Sequence, residues 1–289
     1  MEFAPVPGGT FMMDSNLSMN VSSIPTHSIP LADDISMDFI KVMGGTFMMG
    51  NDKGGYEDER PVHPVFVQDF WIGVYPVTNE QYAVFLNDYG NGNVEAGKYA
   101  GKNMVKIHQW GMQYGAQGWF PAPGYEQHPA TNITWYGAYT FGEWLSALTG
   151  KTFRLLHEAE WEYAAGGGYL GSNDSFLYSG SNKLDDVGWY ETNSHDEIKQ
   201  VGLKQPNQLG LYDMSGNIGE WCMDHWHDDY TGAPMDGTAW LSDDESEYRV
   251  VRGGCYYHQE RYCRVTSRSG DIPEDCGDDQ GFRICEKPS

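Results

Sequence analysis

The sequence predicts an α+β fold, with two or three helices packed on short antiparallel strands and much irregular chain. Three observations carry this. Three segments read as helices, the strand-like runs are all short, and 36 glycines in 289 residues interrupt the chain between them. Hydrophobic residues at 40%, with 14% aromatics, supply enough apolar surface for a large core.

Taken in order, the first feature is an internal echo. Phe3-Ala-Pro-Val-Pro-Gly-Gly-Thr-Phe-Met-Met13 resembles Phe39-Ile-Lys-Val-Met-Gly-Gly-Thr-Phe-Met-Met49, and each reads as a strand with a Gly-Gly bend. The echo occurs once, so the chain is no solenoid. The stretch between, about Asp14 to Ser36, is polar and Pro-interrupted and reads as a linker. Residues 1–36 are therefore expected to be an arm and 37–289 a single domain.

The first helix is expected over Pro76–Asp88. Thr78 is placed as N-cap, Gln81 completes a capping box, and Val77 and Tyr82 sit at the staple positions. Gly90 to Gly124 is Gly-rich and reads as loop. A second helix spans about Thr134–Leu148, with Ala138, Phe141, Leu145 and Leu148 on one apolar face and Gly150 ending it. Glu158–Ala165 is a short third helix stopped by Gly166-Gly167-Gly168. Val250-Val251 and Phe282-Arg283-Ile284 are strand-like.

The net charge of −23 repels phosphate backbones and excludes nucleic acid as a partner; solubility alone accounts for it. No apolar run is long enough to span a membrane. Met1-Glu2-Phe3-Ala4 lacks the basic start and apolar stretch of a signal peptide. Five cysteines, at 222, 255, 263, 276 and 285, cannot all pair and lack zinc-motif spacing.

Several motifs recur in a fixed order. They are Gly44-Gly-Thr-Phe-Met-Met-Gly50, Pro76-Val-Thr-Asn-Glu-Gln-Tyr82, Asn132-Ile-Thr-Trp135, Trp144-Leu145, and Arg154-Leu-Leu-His-Glu-Ala-Glu-Trp-Glu-Tyr-Ala164. Pro206-Asn207, Gly210-Leu-Tyr-Asp-Met-Ser-Gly-Asn-Ile-Gly-Glu-Trp221, Arg252-Gly-Gly254 and Gly281-Phe-Arg283 follow. In this order, over Phe39 to Ile284, the chain resembles the formylglycine-generating enzyme, or sulfatase-modifying factor, family. The resemblance implies a C-type lectin-like fold. Leu156-His157 stand where the family usually has Pro-Thr, and Gly219 where it usually has Trp.

The family's oxidase chemistry implies two cysteines five residues apart after Arg-Gly-Gly. Here the first position is His258 and the second is Cys263; Cys255 lies elsewhere in the run. One thiol is not two, so catalysis is not expected, and Cys263 reads as a small packed hydrophobe. A His triad of the kind used by related iron enzymes cannot be placed, and His225 and His227 read as surface histidines.

The segment 252–283 also resembles the variable region of diversity-generating retroelement proteins, which share this fold. Arg252-Gly-Gly, Arg264-Val265, Arg268, Pro273 and Gly281-Phe-Arg283 would be the fixed frame. Between them stand Cys255, Tyr256, Tyr257, His258, Tyr262, Ser267, Ser269, Gly270, Asp271, Cys276 and Gly277. All eleven can arise by changing only the two adenines of an Asn codon ending in a pyrimidine. Gln259, Glu260, Glu274 and Gln280 cannot, and should be constant.

The resemblance thus implies a non-catalytic protein binding a protein or glycan ligand through these eleven residues, with the tyrosines as anchors. It further implies a lipid-anchored cell-surface location with the leader absent from this chain. A monomer without an organic cofactor is expected. The alternatives are a formylglycine-generating-type oxidase and a static interaction module. The family's calcium site maps onto Asp213, the carbonyls of Gly216 and Ile218, and Glu220; the same carboxylates also suit a hydrogen-bonded turn.

Overall fold

A computed structural model describes residues 24–172, 175–244 and 248–287, so the run Phe3–Met13 lies outside the described residues. The strands are β1 (Thr26–Ala32), β2 (Ile35–Val42), β3 (Gly45–Met49), β4 (His63–Val67), β5 (Phe70–Gly73), β6 (Met112–Gly115) and β7 (Gly118–Pro121). They continue with β8 (Thr152–Leu155), β9 (Gly219–His225), β10 (Arg249–Arg252), β11 (Arg268–Asp271), β12 (Gln280–Phe282) and β13 (Ile284–Lys287). The α-helices are α1 (Asn79–Tyr89), α2 (Trp135–Thr149), α3 (Glu158–Ala165) and a single turn, α4 (Leu184–Val187).

An antiparallel five-stranded sheet has the order β1-β2-β5-β13-β8. A second sheet, β11-β10-β9-β12, carries the C-terminal segment, with β12 parallel to β9. Two hairpins, β3-β4 and β6-β7, complete the set.

Helix chemistry acts as the sequence implies. The Thr78 hydroxyl accepts from the Gln81 amide and the Gln81 side chain accepts from the Thr78 amide, closing the capping box. Thr134 caps α2 by accepting from Gly137, and Gly150 ends it in the left-handed region at φ 73°. Ala138, Phe141 and Leu145 are buried, whereas Leu148 is 49% exposed: the apolar stripe stops one turn before the helix does. Every residue of α3 is buried, including Glu158, Glu160 and Glu162.

Two expectations need correction. The supposed linker Asp14–Ser36 contains β1, paired along β2 with Ile29 opposite Met37, so ordered structure begins before residue 37. Its polar look comes from an edge position: Thr26, Ser28 and Pro30 face out while Ile29 faces in. Pro30 is tolerated because an edge strand has a free side that needs no amide. The glycine-rich stretch 90–124 likewise holds the hairpin β6-β7, whose turn depends on Gly118 at φ 99°.

Two large apolar clusters flank the sheets. One gathers α1, α2 and the aromatic rings Tyr82, Phe85, Phe141 and Phe282; the other gathers α3 with Val65, Val67, Leu209 and Val250.

Candidate ligand-binding surface

The frame of segment 252–283 is set by four buried arginines, each held by a glutamate from elsewhere in the chain. Arg252 binds Glu158 at 2.9 Å and Glu162 at 2.5 Å. Arg268 grips both oxygens of Glu158, at 2.7 and 2.9 Å. Arg264 makes the same two-pronged contact with Glu59. Arg283 binds Glu220 at 2.9 Å and donates to the carbonyls of Gly73, Val74 and Tyr212. Bidentate pairing fixes direction as well as distance. Burial pushes the Glu158 carboxyl up, but Arg268 and Arg252 outweigh it and hold it below its ordinary value. Arg268 also lies over the rings of Trp226 and Tyr230, at 4.6 and 4.2 Å.

Backbone shape completes the frame. Gly253 and Gly254 have φ of 97° and 68°, and a Cβ on Gly254 would stand 2.7 Å from the Tyr262 carbonyl oxygen. Only glycine turns the chain here. Of the residues expected to be constant, Glu274 is tied to Lys102 and Tyr136, and Gln280 is buried on Asp271; Gln259 and Glu260 are exposed.

The eleven candidate positions divide. Tyr257, Tyr262 and Ser269 are exposed, and His258, Gly270, Asp271, Cys276 and Gly277 are half-buried. The Tyr257, His258 and Tyr262 rings form a contiguous run with centroids 5.1 and 5.4 Å apart. His258, Tyr262, Ser267 and Ser269 line one shallow cavity with Gly253 and Gly254.

Three positions do not face a ligand as expected. Cys255, Tyr256 and Ser267 are buried. Tyr256 packs with Ile198 and Ile218 against Trp110 and Tyr125, so this tyrosine fills a core rather than serving as an anchor. Gly270 is also constrained, since a Cβ there would meet the Trp226 ring at 2.9 Å. The direction of these side chains is not legible in the run, which lacks a helical or strand period. The carboxylates Glu59 and Asp279 went unnoticed; the signal available for Glu59 was that fixed, buried arginines demand partners.

Both thiols near the Arg-Gly-Gly motif are buried. Cys263 packs with Tyr178, Leu184, Val187 and Tyr190, and burial pushes its thiol up to about 12. Burial also raises the Cys255 thiol, and all five cysteines are free. His225, expected at the surface, is buried on β9, with its Nδ1 bound by the Ser242 amide; His227 stacks on Trp240.

At the calcium-like positions, Asp213 is fully buried in the left-handed region at φ 57°. Its Oδ2 accepts from the Gly202 amide, its Oδ1 has no partner, and burial pushes its pKa up to about 6. Glu220 is shared between Arg283 and the Trp161 indole. An orphaned carboxylate oxygen beside a second carboxylate fits a hard cation.

Comparison with known proteins agrees with this architecture. The chain is 34% identical over 235 residues to a serine/threonine-protein kinase Pkn1 of Chlamydia trachomatis, covering 81% of this chain and 35% of that protein. It thus spans about a third of that relative's length. A formylglycine-generating enzyme of Thermomonospora curvata is 28% identical over 272 residues, covering 80% of this chain and 86% of the enzyme. The solved structure of Treponema denticola variable protein 1 superposes with a TM-score of 0.71 at 24% identity, covering 91% of this chain and 99% of that one, and so shares the fold. The model of the sulfatase-modifying factor enzyme 1-like domain matches residues 30–288, and the chain belongs to that family.

Proposed function

We propose that the chain is a non-catalytic ligand-binding protein whose segment 252–283 presents a surface that differs between versions of the gene. One observation carries this reading. The frame residues Arg252, Arg264, Arg268 and Arg283 are buried in ion pairs, while eight of the eleven intervening positions reach solvent at least in part. A scaffold locked in this way tolerates change at its surface and loses little entropy when a ligand binds. Tyr257 and Tyr262 supply apolar area with polar tips, which suits a protein or glycan partner. The oxidase reading is disfavoured because His258 stands in place of one thiol and Cys263 is a buried core residue. The chain displays this surface as a monomer at the cell surface, tethered by a lipid; a lipid-labelling and surface-protease assay on source cells tests that placement. Where calcium is bound, Asp213, Glu220 and the carbonyls of Gly216 and Ile218 hold it.

The test of display is to sequence codons 252 to 284 across a population of source cells. Substitutions concentrated at the eight of the eleven positions that reach solvent, with Gln259, Glu260, Glu274 and Gln280 constant, are expected. A uniform segment, or thiol-dependent turnover of a cysteine-containing peptide by the purified chain, overturns the reading.

A further inference from the structure

One cluster on this face has chemistry of a different kind. The Cys255 sulfur, a ring nitrogen of His258 and a carboxylate oxygen of Asp279 all lie within 4.8 Å of one another. Among the described residues no other His, Cys, Asp and Glu side chains form such a group of three. They come from two loops, one after β10 and one before β12, which the second sheet brings together through β9. The Cys263 sulfur lies against Gly254 and stays outside the group.

Two of the donors are open to a cation. The His258 Nδ1 is buried without a hydrogen-bond partner. Asp279 Oδ2 accepts from the Tyr257 hydroxyl at 2.7 Å, an outer contact of the kind that orients ligating carboxylates. The three groups stand close together.

We propose that Cys255, His258 and Asp279 form a zinc site with three protein ligands and a fourth position facing solvent. The donor set selects the metal. One thiolate, one imidazole and one carboxylate is a borderline set that suits zinc, whereas calcium and magnesium want oxygen alone. Zinc–ligand distances of about 2.0–2.3 Å place donors roughly 3.5 Å apart, so the group needs to close by no more than about 1.3 Å on binding. Cys255 is the buried member, and His258 and Asp279 are half-buried, so the open side faces outward beside Tyr257. This inference does not depend on the display reading.

The test uses the full chain stripped of metal, with Co(II) as a spectroscopic stand-in and Zn(II) as competitor. The expected result is one Co(II) per chain with a thiolate-to-metal charge-transfer band, displaced by zinc. His258→Ala and Asp279→Asn should each weaken binding by at least about 100-fold, and Tyr257→Phe by about 10-fold. All three side chains are partly exposed, and circular dichroism verifies that the variants fold. Cys276→Ser should leave the band intact. A missing band in the wild-type chain overturns the site, as does a band that survives His258→Ala but vanishes with Cys276→Ser.

Discussion

Three tyrosines within one run of seven residues look alike in the sequence and do different things. Tyr256 is buried among Ile198, Ile218, Trp110 and Tyr125, whereas Tyr257 is 42% and Tyr262 37% exposed. Tyr256→Ala should therefore lower unfolding stability by about 3 kcal/mol, the scale of an aromatic-to-alanine cavity. Tyr257→Ala and Tyr262→Ala should each stay within about 0.5 kcal/mol, since neither leaves a cavity in the core. Denaturant melts of the three variants check this. A large loss in the Tyr257 or Tyr262 variant would place those rings in the fold rather than on a display face. The variable-region pattern marks which positions are free to change by codon, but codon chemistry carries no information on which way a side chain points.

At the scale of elements, α3 is the piece that matters most. It carries glutamates at 158, 160 and 162, and all three are buried and paired: Glu158 with Arg252 and Arg268, Glu160 with Arg154, Glu162 with Arg252. Removing one partner of such a network leaves the other charge stranded in a medium that solvates it poorly. Glu158→Gln should cost about 3–5 kcal/mol and loosen the segment after β10, because Arg268 loses its counter-charge and Arg252 keeps only Glu162. Thermal melts give the stability, and amide exchange at 252–270 shows the loosening; a stable, fully protected variant would contradict it. The caps of α1 and α2 were legible because capping is local, with Thr78 and Gln81 three residues apart. Edge strand β1 was not legible, because its outward face is polar and Pro30 interrupts it, even though its one partner, β2, follows it directly in the chain. The same limit hid Glu59, which meets Arg264 across 205 residues of sequence.

For the whole molecule, the ordered motif series implied the architecture, and its members are spread over separate elements: residues 44–50 on β3, 76–82 at the start of α1, 154–164 from β8 into α3, and 252–254 at the end of β10. The region of Asp213 and Glu220 joins the loop before β9 to Arg283 and, through it, to the carbonyls of Gly73 and Val74. If calcium occupies it, removal by EGTA should lower the melting temperature by several degrees, and Asp213→Ala should abolish that response; an unchanged melt would leave Asp213 as a turn residue only. The sheet order has a further consequence for how this protein is made. β13 is the last of the described strands in sequence, yet it lies between β5 and β8 and bonds to both. During synthesis these two strands emerge first and must wait with unpaired edges facing each other. The nascent chain therefore remains open at its centre until residues 284–287 leave the ribosome, and a partner that shields strand edges would be needed most at that moment.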